Sequence, residues 1–247
     1  MSNAIIPSKE DDDSVENPVS THGDMHWNRT NALTTTQLQD RGTMFRNEAS
    51  RREVDRLRDL RSRLLSAIDG PFVTLVAPVG RGSGGSFVAR NLAVSVAFDP
   101  TKSALLVDCD LHNPTQHVTM RLAPSGGGLV DYLEDPDADA ETVLYDTGIN
   151  GLRLVPTGNV LNMDTEYLSS FRMRMLVNSL RSRFPHCHIF LDSPPVLGSP
   201  DARILADLAD AVVLVAGYGR DTPAQIAEAA ASFDPTKFAG VVFNEGV

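Results

Sequence analysis

The feature that most constrains this chain is a glycine-rich loop that joins two apolar segments of different length. Residues 72–77 form a short, valine-rich run, which predicts a buried strand, and the longer apolar stretch at 87–97 predicts a buried helix. The connection consists of Gly80, Arg81, Gly82, Ser83, Gly84, Gly85 and Ser86. Glycines allow the backbone to approach a ligand closely, and a helix N-terminus carries partial positive charge. The loop is therefore typical of a phosphate-binding site.

Two motifs fit this loop, and they predict different functions. Gly80-x-Gly82-x-x-Gly85 matches a dinucleotide fingerprint, in which Asp108 at the end of the next strand would bind the ribose. The loop also matches a P-loop whose lysine has become Gly85, followed by the usual hydroxyl residue, Ser86. A glycine-rich turn without a ligand is the third interpretation, and the loop alone leaves all three open.

Composition divides the chain of 247 residues into a polar N-terminal segment and a remainder of domain size. Residues 1–45 are rich in Asp, Asn, Ser and Thr and show no apolar period, so we predict that they are disordered. Residues 46–247 are enough for a single core. A net charge of −10 argues against nucleic acid as a partner. No signal peptide and no apolar run of about 18 residues is evident, which predicts a cytoplasmic protein without a membrane span.

Residues 46–68, rich in Arg and Leu, predict a helix at the start of the domain. Within it, Asp55, Arg58 and Arg61 recur every three residues and share one face. Such charges often form only a solvated face, whose ion pairs add little stability. The sharper interpretation is a surface for interaction with another subunit.

Later in the chain, apolar strands end in acidic residues. The run 104–107 is followed by Asp108 and Asp110, and the run 188–191 is followed by Asp192. Alternation of such strands with helical segments predicts a parallel sheet with helices on both faces. The carboxyl ends of parallel strands lie along one edge of a sheet, where ligands of open α/β folds bind. The three acids are therefore candidate site residues.

A family resemblance becomes specific when the strand-end motifs are taken in their order along the chain. They are Asp108-x-Asp110-Leu111-x-x-Pro114, Leu191-Asp192-Ser193-Pro194-Pro195 and Val241-Val242-Phe243-Asn244. This order, after the glycine loop, resembles the bacterial tyrosine kinases, the cytoplasmic ATP-binding part of polysaccharide co-polymerases. The resemblance covers position 55 to the C-terminus and implies a P-loop NTPase-like three-layer α/β fold with a mainly parallel sheet. Asp55-x-x-Arg58-x-x-Arg61 resembles the family's ring-assembly motif, with Asp in place of Glu.

The resemblance implies a role for each matching residue. The glycine loop would cradle the phosphates of ATP or ADP, and Asn244 would lie near the adenine. Ser86, Asp108 and Asp192 would hold Mg²⁺. Asp108 and Asp110 would position the metal and, in an active protein, the attacking hydroxyl. These parts suit phosphoryl transfer, which needs oriented phosphates and a metal ion rather than covalent chemistry from the protein.

The chain departs from the family pattern at the P-loop lysine, whose position is occupied by Gly85. None of the three lysines, Lys9, Lys102 and Lys237, lies near the loop. Arg81 or a residue of a neighbouring subunit could replace the missing charge. The tyrosines are scattered rather than clustered at the C-terminus as in the family. We therefore expect nucleotide binding to be weak or absent.

These features predict a kinase-like subunit of exopolysaccharide or capsule biosynthesis and export, with little or no tyrosine kinase activity. By the resemblance, it would associate with a membrane polysaccharide co-polymerase on a separate chain, lie at the inner face of the cell membrane, and self-associate. The alternative is an active ATPase or tyrosine autokinase with a rearranged P-loop. An NAD(P)-binding Rossmann protein is less favoured, because no tyrosine here is followed four residues later by the lysine that short-chain dehydrogenases need.

Overall fold

The computed structural model describes residues 33–43, 51–159 and 166–245. Its helices in these ranges are α1 (Thr35–Gln39), α2 (Arg51–Ala67), α3 (Gly85–Ala97), α4 (Gln116–Thr119), α5 (Leu129–Glu134), α6 (Phe171–Arg183), α7 (Asp201–Ala206) and α8 (Pro223–Ala230), with a 3-10 turn at Ala140–Val143. Its strands are β1 (Val73–Pro78), β2 (Ser103–Asp108), β3 (Tyr145–Asp146), β4 (Leu152–Val155), β5 (Cys187–Asp192), β6 (Ala211–Gly217) and β7 (Phe238–Asn244).

The described strands form one seven-stranded sheet in the order β3-β4-β2-β5-β1-β6-β7. All neighbouring pairs are parallel except β3 with β4, which is antiparallel. The α/β class with a mainly parallel sheet is thus confirmed. The two-residue strand Tyr145–Asp146 was not predicted, because a segment of that length shows no hydrophobic period.

Side chains from the strands alternate between two apolar layers, which makes the protein three layers thick. In β2, Leu105 and Val107 pack in the core beneath α5, α6, α7 and α8, whereas Ala104 and Leu106 pack in the core beneath α2 and α3. Because both faces are covered, the central strands are apolar throughout rather than alternating in polarity. The predicted helices on both faces of the sheet are confirmed.

Helix α2 lies on the outside of α3, and its apolar stripe holds it there. Leu64 is buried, and Leu60 and Leu65 pack against the same core. The helix ends at Ala67, just before Gly70, which has a φ of 77°. Of the predicted helix 46–68, positions 46–50 lie outside the described residues.

Part of the segment predicted to be disordered is ordered. Of residues 1–45, the structure describes 33–43, which contain α1 with a capping box at Thr34. Arg41 donates to the carbonyl oxygens of Met120 and Thr147, and Leu38 packs against the core around α3. Composition does not reveal the helix at 35–39, because this segment is held by a few contacts to residues distant in sequence. These contacts go to main-chain oxygens and apolar side chains. The remaining residues of 1–45 lie outside the described ranges.

Among the described residues, none of the helices combines the length and the apolar character that a membrane span requires.

Candidate functional site

The glycine loop, residues 80–86, connects the end of β1 to the start of α3 and is held by side chains from elsewhere. The Ser83 hydroxyl donates to the Asp221 carboxylate (2.7 Å) and accepts from the Gly80 N–H (3.1 Å). Gly82 and Gly84 have φ values of 80° and 90°, a conformation that favours glycine. The α3 N-terminus has no side-chain cap at Gly84, so its first N–H groups remain available to an anion.

Gly85, which the resemblance aligns with the family's P-loop lysine, has the space beside it filled. A Cβ atom placed on Gly85 would lie 2.7 Å from both Cγ and Cδ of Pro78. This is closer than real Cβ contacts, and the rigid proline ring is not the free end of a flexible side chain. A side chain at position 85 would therefore require Pro78 or the loop to shift.

The predicted metal-binding acids lie together beneath the loop. Asp108 and Asp192 are register partners at the ends of adjacent strands, and both are fully buried. Gln116 joins them, because its backbone N–H donates to Asp108 Oδ2 (3.0 Å) and its Nε2 donates to Asp192 Oδ2 (2.7 Å). The other carboxylate oxygen of each acid has no hydrogen-bond partner. Burial of Asp108 also argues against its role as a ribose-binding acid in a dinucleotide site.

Burial sets the protonation of these acids. Loss of solvation, followed by the charge of Asp192, raises the pKa of Asp108 well above its usual range. Loss of solvation also raises the pKa of Asp192 to about 7, although hydrogen bonds from Gln116 and Ser86 favour its charged form. The positive charge of Arg90 also lowers the pKa of Asp192.

Arg90, a buried cation on α3, was missed by the sequence analysis. Its Nε donates to the Gly42 carbonyl oxygen (3.1 Å), and its Nη1 donates to Gln116 Oε1 (3.0 Å). Burial lowers the pKa of Arg90, while the charges of Asp192 and Asp108 raise it. A single arginine in an otherwise apolar helix was the signal available in the sequence.

The residues present fit the magnesium ion that the resemblance implies. Asp108 and Asp192 offer unpartnered carboxylate oxygens, and Ser86 lies near enough to lower the pKa of Asp192. Oxygen donors of this kind suit Mg²⁺, which usually completes its shell with water and substrate phosphate. Within the described part of the chain, no group of three or more His, Cys, Asp or Glu side chains could hold a metal by itself.

An open cleft of about 460 Å³ lies in front of Ser86 and contains Asp110 in its wall. Burial raises the pKa of Asp110, and hydrogen bonding to the Asn113 N–H lowers it. His112 also lines the cleft, with its Nε2 3.4 Å from an Asp201 carboxylate oxygen. Asp110 is thus the predicted acid that faces the cleft, whereas Asp108 and Asp192 are fully buried.

Two residues that follow β6 in the chain also contact the loop. Asn244 Nδ2 donates to the Ser83 carbonyl oxygen (3.2 Å), so this amide is held against the loop backbone. The guanidinium of Arg220, in the turn after β6, lies against Gly82. The sequence analysis did not identify Arg220, and no local pattern distinguishes it from other surface arginines.

The three charged residues predicted to mediate assembly lie on α2, away from the loop, and do not act alike. Arg58 Nη1 is 4.0 Å from Asp55 Oδ1, and both side chains are about half exposed. Arg61 instead donates to the Ser95 carbonyl oxygen of α3 at 2.7 Å. Arg61 therefore serves packing within the molecule, and Asp55 and Arg58 remain on the surface.

Known proteins similar to this chain are tyrosine kinases, although no protein-family model matches it. Tyrosine-protein kinase CpsD of Streptococcus pneumoniae is 31% identical over 175 residues, which are 70% of this chain and 75% of CpsD. Tyrosine-protein kinase wzc of Salmonella typhimurium is 29% identical over 177 residues, 70% of this chain but 24% of wzc. The kinase domain of Escherichia coli tyrosine kinase ETK superposes with a TM-score of 0.74 at 23% identity, and the match covers 89% of this chain and 84% of that kinase-domain chain.

Proposed function

The chain belongs to the bacterial tyrosine kinase family, and from this we propose that it is a kinase-like subunit of exopolysaccharide or capsule biosynthesis and export, with weak Mg-nucleotide binding or none and little or no tyrosine kinase activity. The observation that carries the proposal is the contact between Gly85 and Pro78, which leaves neither a cation nor space for one at the P-loop lysine position.

The size of the expected defect follows from what the lysine contributes. One hydrogen bond to a charged group is worth roughly 1.5–3 kcal/mol, so its loss weakens nucleotide binding about 10- to 150-fold. Loss of a donor that stabilises the transition state costs about 10²–10³ in rate. Backbone N–H groups, Ser86 and the buried acid pair remain, which supports weak binding with little turnover.

The proposed partner is a membrane polysaccharide co-polymerase on a separate chain, with this protein at the inner face of the membrane. Two length comparisons support it. The matched region is three-quarters of CpsD but only a quarter of wzc, so the kinase region occurs both in a short chain and within a much longer one. The occurrence of the kinase region in a short relative supports a co-polymerase carried by a separate chain.

An active ATPase or tyrosine autokinase is the second candidate, and the acids favour it. Asp108, Asp110 and Asp192 all lie at the predicted edge of the sheet, with Ser86 beside them. In an active protein, Asp110 would accept the proton of the attacking hydroxyl in the cleft, and Ser86 with the buried pair would hold Mg²⁺.

Incubation of the purified protein with Mg-ATP, followed by phosphotyrosine detection by mass spectrometry, separates the two candidates. We expect no phosphotyrosine in the wild-type protein or in an Asp108→Asn variant. Phosphotyrosine that forms in the wild type and disappears in Asp108→Asn would establish the active alternative. Co-purification of a tagged chain with its membrane co-polymerase tests the partner, and recovery of the chain without it would contradict that part of the proposal.

A further inference from the structure

We propose that Arg220 supplies the positive charge to a nucleotide bound at the glycine loop, and that it contacts the inner phosphates shared by ADP and ATP. This inference rests on the proposed function in one respect, namely that the loop retains weak nucleotide binding. It replaces Arg81, the candidate suggested by the sequence, with a residue from a different part of the chain.

The position of Arg220 is set by two glycines. A Cβ atom on Gly82 would lie 2.9 Å from Nη1 and 3.2 Å from Cζ of Arg220, so the guanidinium rests directly against the loop backbone. A Cβ atom on Gly217 would lie 3.2 Å from Cβ and 3.3 Å from Cδ of Arg220. The aliphatic part of the Arg220 side chain thus runs past Gly217. Its guanidinium reaches Gly82, which lies 138 positions before Arg220 in the chain.

The charge of Arg220 has no counterion among the residues that the structure describes. Within the described residues, no carboxylate lies within ion-pair distance of its guanidinium. The adjacent Asp221 carboxylate is already used by the Gly217 N–H (2.6 Å) and the Ser83 hydroxyl (2.7 Å). Arg220 is exposed, so its guanidinium is accessible to an anion held by the loop and the N-terminus of α3.

A second, independent observation points to a ligand at the same loop. Asp108 and Asp192 each have a buried carboxylate oxygen without a hydrogen-bond partner, next to Ser86 at the start of α3. Buried acids left in this state are suited to a bound cation, and the phosphates of a nucleotide would complete its shell.

The strand order indicates which end of the nucleotide's phosphate chain the Arg220 guanidinium would contact. β5 and β2, which carry the acids, lie on one side of β1, and β6, which leads to Arg220, lies on the other. The terminal phosphate belongs on the acid side, where metal and attacking group meet, so Arg220 faces the inner phosphates. Arg81 lies on the acid side, where its charge lowers the pKa of Asp110. Its charge is therefore partly offset, whereas that of Arg220 is not.

Calorimetric titration with Mg-ADP and Mg-ATP tests the proposal on the full chain. Arg220→Ala should weaken binding of both nucleotides by about tenfold or more and by similar factors, because both share the inner phosphates. Arg220→Lys should recover part of the loss. Arg174→Ala, which removes the same charge from an exposed position on α6, is the matched control and should bind like the wild type. Melting temperatures verify that each variant is folded.

Three outcomes would overturn the inference: equal affinities of wild type and Arg220→Ala, a larger loss for Arg81→Ala than for Arg220→Ala, or no binding of either nucleotide to the wild type. None of these bears on the phosphotyrosine and co-purification tests of the proposed function. Conversely, phosphotyrosine in a protein whose affinity depends on Arg220 would overturn the proposed function and leave this inference standing.

Discussion

Gly85 shows how a single residue is constrained by its neighbour rather than by its own backbone. Its φ is not in the left-handed region, so the main chain would accept any L residue there. The obstacle is the ring of Pro78, which lies where a side chain at position 85 would begin. A lysine could therefore return to this loop only if the proline ring were also removed.

We predict that Gly85→Lys alone lowers the melting temperature, because overpacking typically costs about 1–3 kcal/mol. The double variant Pro78→Ala/Gly85→Lys should recover much of that stability and bind Mg-ATP about tenfold more tightly than Pro78→Ala alone. Thermal unfolding and calorimetry measure the two effects. A stable Gly85→Lys single variant with the same affinity gain would show that Pro78 is no obstacle.

The raised pKa of Asp192 makes the stability of the folded protein depend on pH. Its folded-state pKa of about 7 lies above the ordinary aspartate value of 3.8 because burial disfavours its charge. The folded protein therefore keeps a proton that the unfolded chain releases as pH rises from about 4 to about 7. The resulting stability is fully present below pH 4 and is lost as pH rises through 7.

We predict that, without Mg²⁺, the free energy of unfolding falls between pH 5 and pH 8, and that it falls less in Asp192→Asn. Each pH unit over which only the folded protein keeps the proton costs about 1.4 kcal/mol, so the wild type should lose at most a few kcal/mol more than Asp192→Asn over this range. Denaturant unfolding at several pH values measures it. Asp137→Asn, at an exposed position, is the control. Identical pH profiles for wild type and Asp192→Asn would refute the argument.

Among the elements, α2 depends on α3 for its position. Leu64 supplies the apolar contact, and Arg61 adds a hydrogen bond to the Ser95 carbonyl oxygen. Arg63, two residues on, instead pairs with Asp59 at 2.9 Å on the exposed face. A charged donor to a half-buried carbonyl is worth more than an exposed ion pair.

Arg61→Ala should therefore lower the free energy of unfolding by about 1 kcal/mol or more, and Arg63→Ala by only a few tenths. Urea unfolding of both variants measures the difference. Equal losses in the two variants would mean that the contact with α3 contributes no more than a surface ion pair.

For the whole molecule, the outer face of α2 is the proposed assembly surface. Because Arg61 is engaged within the chain, Arg58 and Asp55 are the residues left to contact a second subunit. A variant that changes Arg58 alone tests assembly without loosening the helix.

We predict that the wild-type protein self-associates and that Arg58→Ala shifts it towards monomer, whereas Arg63→Ala does not. Light scattering coupled to size-exclusion chromatography measures the molar mass of each. A monomeric wild type, or unchanged association of Arg58→Ala, would leave α2 with only a solvated charged face.

The sequence by itself determined the parallel sheet, the glycine loop and the order of the acids at the strand ends. These depend on apolar runs and on spacing between neighbouring residues, which are visible along the chain. It also identified the absent lysine. The short strand β3 and the order within 33–43 escaped it because they rely on contacts made elsewhere in the molecule.

Only the tertiary structure decided which side chains surround the loop and the acids. Pro78 against Gly85, Gln116 between Asp108 and Asp192, and Arg220 over the loop are contacts between groups of different elements. Such pairs meet because strands distant in sequence become neighbours in the sheet. Hydrophobic patterning places strands in the core without specifying which side chains meet at the edge. That choice follows from strand order and close packing, which belong to the folded molecule.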